Sequence, residues 1–141
     1  MSAPTPTTGD LAWVLTPLLE LPGVQHAVVA TGDGLVEGAS EGLDRASAER
    51  VAAMTATVHA AARAFTTAFT EAEKPRLAQT VVESELGFAI VVPAGRNTTL
   101  ALFAAPDAHL GNIAYQMQVQ VTALTRAMNA PTRQPDAAVR P

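Results

Sequence analysis

Three histidines are the side chains of this sequence that titrate nearest to neutral pH: His26, His59 and His109. An imidazole acts as a general acid, a general base or a metal ligand when a suitable partner group lies beside it. The sequence puts the three on a predicted strand, a predicted helix and a helix start, with no partner near any of them. We therefore expect all three histidines to be structural.

Two pairs of carboxylates are the candidates for metal binding. Glu71 and Glu73 follow a predicted helix, and Glu83 and Glu85 flank a predicted turn. Such oxygen ligands suit Ca²⁺ or Mg²⁺, but closely spaced carboxylates on loops are usually solvated. The motifs GxxxxGKS/T, HExxH and GxSxG are absent, as is cysteine. The sequence predicts a non-enzymatic protein with no catalytic residues, no metal and no cofactor.

Arginine side chains are a further candidate, because an arginine supplied to a bound nucleotide stabilises the transferring phosphoryl group. The arginines of the predicted domain stand in no motif that marks them: Arg45, Arg50, Arg63, Arg76, Arg96 and Arg126. An exposed arginine in a surface ion pair contributes less than about 1 kcal/mol. We expect each of them, taken singly, to lie on a solvated surface.

The composition is apolar for a soluble domain. Hydrophobic residues make up 48% and charged residues 16%, with a net charge of -4 and no basic cluster. Surplus apolar surface favours self-association, and the charge argues against binding nucleic acid. No signal-peptide pattern precedes the domain, and no apolar run approaches the roughly 20 residues of a membrane span. A cytoplasmic protein without membrane insertion is the expectation.

One domain over residues 10–129 is expected to position these side chains, between tails at 1–9 and 130–141 that are predicted to be disordered. Asp10 is the predicted N-cap of a first helix that ends near Leu21. A hairpin follows over 24–30 and 35–39. Its turn contains Asp33-Gly34, a pair that favours the positive φ of a tight turn.

A long helix is predicted over 46–69. Its wide apolar face carries the residues expected to face the core: Val51, Met54, Val58, Ala62, Phe65 and Phe69. Three strands then follow over 77–83, 86–92 and 99–104, and a last helix over 110–129 has Asp107 as its predicted N-cap.

The last two strands are apolar on both alternating faces, so helices must cover both sides of the sheet. The predicted fold class is α+β, with the element order α-β-β-α-β-β-β-α. The expected architecture is an α/β/α sandwich. In it, a five-stranded antiparallel sheet carries the long helix on one face and the two terminal helices on the other.

Two features of the sequence favour a homodimer. Small side chains on the long helix permit close approach of two helix backbones, although alanine also fills helices simply because it is the best helix former. One strand of the meander is a sheet edge without the Lys or Pro that usually protects an edge. The predicted dimer-interface residues are Ala56, Ala60, Ala64, Ala68, Thr80, Val81 and Val82.

Four segments, in this order, resemble the Roadblock/LC7 domain family: LPGVQHAVVATGDGL, SEGLDRASAERVAAM, QTVVESELGFAIVV and LGNIAYQM. The resemblance covers about residues 10 to 128 and is strongest to the conservon-type actinobacterial members encoded with small GTPases. It implies a profilin-like fold and a homodimer that joins through the middle helix and the third strand. It also implies binding to a Ras-like small GTPase, in a complex that can include a sensor kinase at the membrane.

The resemblance implies that the GTPase binds the exposed surface of the paired middle helices. The expected contact residues are Arg45, Glu49, Arg50, Ala53, Thr57, Ala60 and Ala64. The protein would then be a homodimeric regulator or scaffold that activates or recruits the GTPase. A small-molecule sensor remains the alternative. It needs a cavity with convergent polar groups, for which the strands offer His26, Gln79 and Thr80.

Overall fold

The computed structural model describes residues 6–129. The elements follow the predicted order: α1 (Pro6–Leu19), β1 (Val24–Thr31), β2 (Val36–Ala39), α2 (Arg45–Thr70), β3 (Thr80–Ser84), β4 (Gly87–Pro93), β5 (Thr98–Ala104) and α3 (Leu110–Asn129). Of the tails predicted to be disordered, residues 1–5 and 130–141 lie outside the described residues, whereas residues 6–9 belong to α1.

The first helix begins earlier than the sequence predicted. α1 starts at Pro6, so Asp10 lies inside the helix, and its predicted role as the N-cap is wrong. The helix also ends at Leu19, two residues before the predicted end.

The other two helices show one confirmed start and one wrong cap. α2 begins after Asp44, whose carboxylate accepts a hydrogen bond from the Ser47 backbone N–H at 2.8 Å. This hydrogen bond lowers the pKa of Asp44. α3 runs over the predicted 110–129, but His109 is its cap: the Nδ1 of His109 accepts from the Asn112 N–H at 3.0 Å. The Asp107 cap was therefore predicted two residues too early.

The five strands form one antiparallel sheet in the order β2-β1-β5-β4-β3. This confirms the predicted α+β fold class and strand number. β5, the last strand in sequence, lies at the centre of the sheet, and β2 and β3 form its edges. Gly34 takes φ 88 in the β1–β2 turn, as the predicted tight turn requires.

The main core lies between the sheet and the layer formed by α1 and α3. Its buried side chains are Val14, Leu15, Leu18, Ala27, Val29, Phe88, Ile90, Val92, Ala94, Leu100, Leu102, Ala104, Ile113, Met117, Val121 and Leu124. The inward residues of α1 and α3 recur at three- and four-residue steps, as in helices that bury one apolar face.

The opposite layer is thinner. α2 packs mainly on β1, β5 and β2, and its buried residues are the small ones, Ala48, Ala52 and Thr55. Met54, Phe65 and Phe69 are exposed, so their expected place in the core is wrong. Met54 lies on a flank of α2 beside the sheet rather than against it, and for Phe65 and Phe69 the physical reason is the length of the helix. A helix of 26 residues spans about 39 Å, whereas the eight residues of β1 span about 26 Å.

Candidate interaction surface

A groove lies between one flank of α2 and the part of the sheet that α2 leaves open. We call it the apolar groove. It is open to solvent, has a volume of about 420 Å³, and is lined by His26, Ala27, Val28, Leu43, Arg50, Val51, Met54, Thr55, Val58, Val82, Ala89, Ile90, Val91, Ala101, Leu102 and Phe103. The side chains come from α2, from the strands and from the loop before α2. The groove exists because α2 covers β1 and β5 but not β3 and β4.

The groove offers few polar atoms. The Thr55 hydroxyl donates to the Val51 carbonyl at 2.7 Å within α2, so it is already satisfied. The Nδ1 of His26 is buried and has no hydrogen-bond partner within residues 6–129. Arg50 borders the groove and donates to the Ser47 hydroxyl at 3.2 Å. This surface therefore suits apolar contact far better than polar recognition.

The exposed aromatic residues of α2 extend the same apolar character toward its C-terminal end. Phe65 is 67% exposed and Phe69 is 78% exposed. Their rings meet edge to face, with centroids 5.1 Å apart. Such a pair is a large apolar contact surface. Within residues 6–129, neither ring belongs to the hydrophobic core.

The β3 edge borders the groove. Among residues 6–129, β3 is the last strand of the sheet and pairs only with β4, so one side of its backbone is open there. Thr80 and Val81 are half-buried, whereas Val82 is 51% exposed and lines the groove. β3 contains neither Lys nor Pro. An unprotected edge of this kind is a template for pairing with another strand.

The residues predicted for the dimer interface fall on two separate sides of the molecule. Thr80, Val81 and Val82 form the β3 edge. Ala56 lies instead against Gly34 of the β1–β2 turn, and Ala60, Ala64 and Ala68 are exposed along that other side of α2. The structure thus brings the β3 residues together with Met54 and Val58 rather than with the four alanines of α2. The role of these alanines in a dimer stays a prediction.

The residues predicted to contact a GTPase are exposed on α2. They divide into two groups. Arg45 and Glu49 form an exposed ion pair at 3.2 Å in the first turns, next to Arg50. Ala53, Thr57, Ala60 and Ala64 follow at helical spacing on the flank away from the groove. Their contact with a partner stays a prediction.

The remaining candidates from the sequence stay apart from one another. Gln79 is exposed and Thr80 lies on the β3 edge, so of the three polar residues named for a sensor site only His26 reaches the groove. Within residues 6–129, no three His, Cys, Asp or Glu side chains come together as a metal-ligand set. None of the helices described is long and apolar enough to cross a membrane.

The sequence reasoning missed the apolar groove as a site. Its signal was present, because the apolar face of α2 was found correctly at positions 51, 54 and 58. That face was assigned to the core, since a helical period reports which side of a helix is apolar and not what covers it.

Comparison with known proteins places this geometry in a family. The Roadblock/LC7 domain model matches residues 11–104, so the chain belongs to the Roadblock/LC7 family. No curated protein matches the chain in sequence.

Solved structures agree with the family assignment. A Roadblock/LC7 domain from Streptomyces avermitilis is 28% identical, with a TM-score of 0.78 over 85% of this chain and 98% of that chain. A second such domain from the same organism is 30% identical, with a TM-score of 0.64 over 81% of this chain and 97% of that chain. The gliding protein MglB from Thermus thermophilus is 23% identical, with a TM-score of 0.75 over 92% of this chain and 96% of that chain, which shows a shared fold.

Proposed function

We propose that this protein is a homodimeric, non-enzymatic regulator or scaffold that binds a Ras-like small GTPase. The family resemblance implies both the dimer and the partner. One observation supports the homodimer in this proposal: an unprotected β3 edge adjoins an apolar groove and a row of exposed apolar side chains on α2. A second copy of the chain is the occupant that satisfies all three features together.

The dimer forms by addition of β3 to β3 of the second copy. Antiparallel pairing of the two edges would continue the sheet across both protomers and remove two exposed edges. The same symmetry operation brings α2 of one copy toward the groove side of the other. Met54 and Val82, both about half exposed, would then be covered by the partner copy.

The GTPase binds the outer surface of α2 that remains exposed in the dimer. Arg45 and Glu49 offer charges there, and Ala53, Thr57 and Ala64 offer a smooth helix surface on which a partner approaches closely. The proposed complex acts in the cytoplasm, with recruitment to a membrane-bound sensor kinase through its partners.

Two variants distinguish an effect on GTPase binding from an effect on dimerisation. Thr57→Arg places a long charged side chain on the exposed flank away from the groove, so it should weaken GTPase binding and leave the dimer intact. Arg50→Glu reverses a charge among the predicted contact residues, and because Arg50 also borders the groove, dimerisation must be measured beside binding. Arg126→Glu on α3 is the matched control.

The experiment begins with capture of partners from lysate of the source organism, in parallel with GDP and with a non-hydrolysable GTP analogue. A small GTPase recovered in one nucleotide state is then purified, and its affinity for the parent and the variants is measured by biolayer interferometry. The proposal is wrong if no GTPase is recovered in either arm, or if Thr57→Arg and Arg50→Glu both bind as tightly as the parent.

The small-molecule sensor is the weaker candidate, because the apolar groove presents only His26 and Arg50 as polar or charged side chains with atoms left to bind a ligand. A ligand-binding site needs several polar groups that fix the ligand's orientation.

A further inference from the structure

We infer that the end of the molecule formed by the β4–β5 turn, the middle of α2 and the end of α3 holds a binding site for a phosphate-bearing small molecule. The site is an open cleft of about 880 Å³, which we call the basic cleft. It is lined by His59, Arg63, Pro75, Arg76, Leu77, Ala78, Pro93, Gly95, Arg96, Asn97, Thr125, Met128 and Asn129. The basic cleft lies apart from the apolar groove, with which it shares no lining residue.

Positive charge is concentrated in this cleft against the overall balance of the chain. Three of the nine Lys and Arg residues line it, namely Arg63, Arg76 and Arg96. No Asp or Glu lines it among the residues that the structure describes, although the chain carries a net charge of -4. An adjoining smaller cleft contributes one carboxylate, Asp33. Like charges gathered in one cleft repel each other unless an anion lies between them.

The three guanidinium groups are free to bind an anion. Between residues 6 and 129 the structure contains a single ion pair, Arg45 with Glu49, which is far from the cleft in sequence. Arg63 is half-buried on α2, whereas Arg76 and Arg96 are exposed on two separate loops. A guanidinium presents five N–H donors in a planar fork that fits the oxygens of a phosphate. The three arginines come from three separate segments of the chain and line one cleft.

His59 is a lining residue whose charge state bears on the cleft. It lines the basic cleft and the adjoining cleft, and its buried Nδ1 has no hydrogen-bond partner among the residues that the structure describes. Burial lowers the pKa of His59, and the positive charge of Arg63 lowers it further. The imidazole is therefore neutral at pH 7, so it adds no further positive charge to the cleft.

The volume of the cleft and the residues that line it indicate which class of ligand would fit. Pockets for small molecules are commonly about 300–1,000 Å³, and the volume of the basic cleft lies within that range. Leu77, Met128 and the two prolines provide an apolar surface beside the charges. The shared chemistry of the ligand is the phosphate group, whether in inorganic pyrophosphate or on a nucleotide whose base rests on the apolar surface.

Isothermal titration calorimetry of the full chain tests this site, with sodium pyrophosphate, GDP and guanosine as separate probes. We expect the two phosphate-bearing probes to bind and guanosine to produce no binding. Arg63→Gln and Arg96→Gln should each weaken binding about tenfold or more, because each removes a charge-assisted hydrogen bond. Arg126→Gln is the matched control, since Arg126 is exposed on α3 and does not line the cleft.

The results of these titrations either support the proposed site or overturn it. GDP binding more than about tenfold tighter than pyrophosphate identifies the source as a nucleotide, and equal affinity identifies the anion alone; both support the site. Binding of neither probe at millimolar concentration overturns it, as does an equal loss in Arg126→Gln. Binding of a hexaglutamate peptide without binding of pyrophosphate also overturns it, in favour of an acidic protein partner. Arg96 is exposed in a turn, so Arg96→Gln keeps the fold, which circular dichroism checks.

Discussion

Replacing Val82 with lysine perturbs the proposed dimer at the place where the free β3 edge meets the apolar groove. Val82 is 51% exposed and lines the groove together with Met54 and Val58 of α2. In a dimer built across β3, the partner copy covers this side chain. Val82→Lys therefore removes an apolar contact and introduces a charge that the second copy has to desolvate.

The size of the effect follows from the exposed fraction. Full burial of a valine side chain contributes about 1.5–3 kcal/mol, so covering the exposed half contributes about 1 kcal/mol in each protomer. The dimer contains the contact twice, which gives about 2 kcal/mol. Because about 1.4 kcal/mol is tenfold in affinity, the lost contact alone weakens association about 30-fold. Desolvation of the lysine ammonium increases this loss.

Sedimentation equilibrium over a wide range of protein concentration measures the monomer–dimer constant of the parent and the variant. Val119→Lys is the control, because Val119 is the same residue type, is 40% exposed and lies on α3 in the opposite layer. A dissociation constant unchanged in Val82→Lys would refute the β3 interface. Equal weakening by both variants would show that the effect comes from added charge rather than from the proposed contact.

Three further outcomes test the fold. Met117 is fully buried in α3, so Met117→Ala should lower the free energy of unfolding by about 2–5 kcal/mol; a urea titration showing a loss below about 1 kcal/mol would contradict its place in the core. Gly87→Ala should lower the melting temperature more than Gly95→Ala. Both glycines have positive φ, which costs other residues about 1–2 kcal/mol. Only at Gly87 would the new Cβ also overlap the Ala104 carbonyl oxygen. Equal melting temperatures would contradict this reasoning. Because the pKa of His59 is lowered from 6.5 in the folded chain, the unfolded chain binds more protons, and stability should fall as pH drops below about 6.5. His59→Gln should reduce this pH dependence, and an unchanged pH profile of the melting temperature would count against it.

Local patterns along the chain were sufficient to predict the order of the helices and strands. The 110–129 helix and the Asp33-Gly34 hairpin turn were predicted correctly, because helical periodicity and turn chemistry are local properties of the chain. Local reasoning was wrong where neighbouring residues compete for one role. At the start of α3, Asp107 and His109 both carry an acceptor for a helix N-terminus, and the structure uses His109.

The packing of the elements determines how much of the apolar face of α2 is buried and which arginines line the same cleft. The period of α2 identified an apolar face, but the position of α2 over β1, β2 and β5 leaves Met54 and Phe69 exposed. Arg63, Arg76 and Arg96 share no motif, and they line one cleft because the sheet order brings the β4–β5 turn toward α2. The physical reason is that a sequence pattern encodes the geometry of one element. Convergence of distant side chains depends on how the elements pack together.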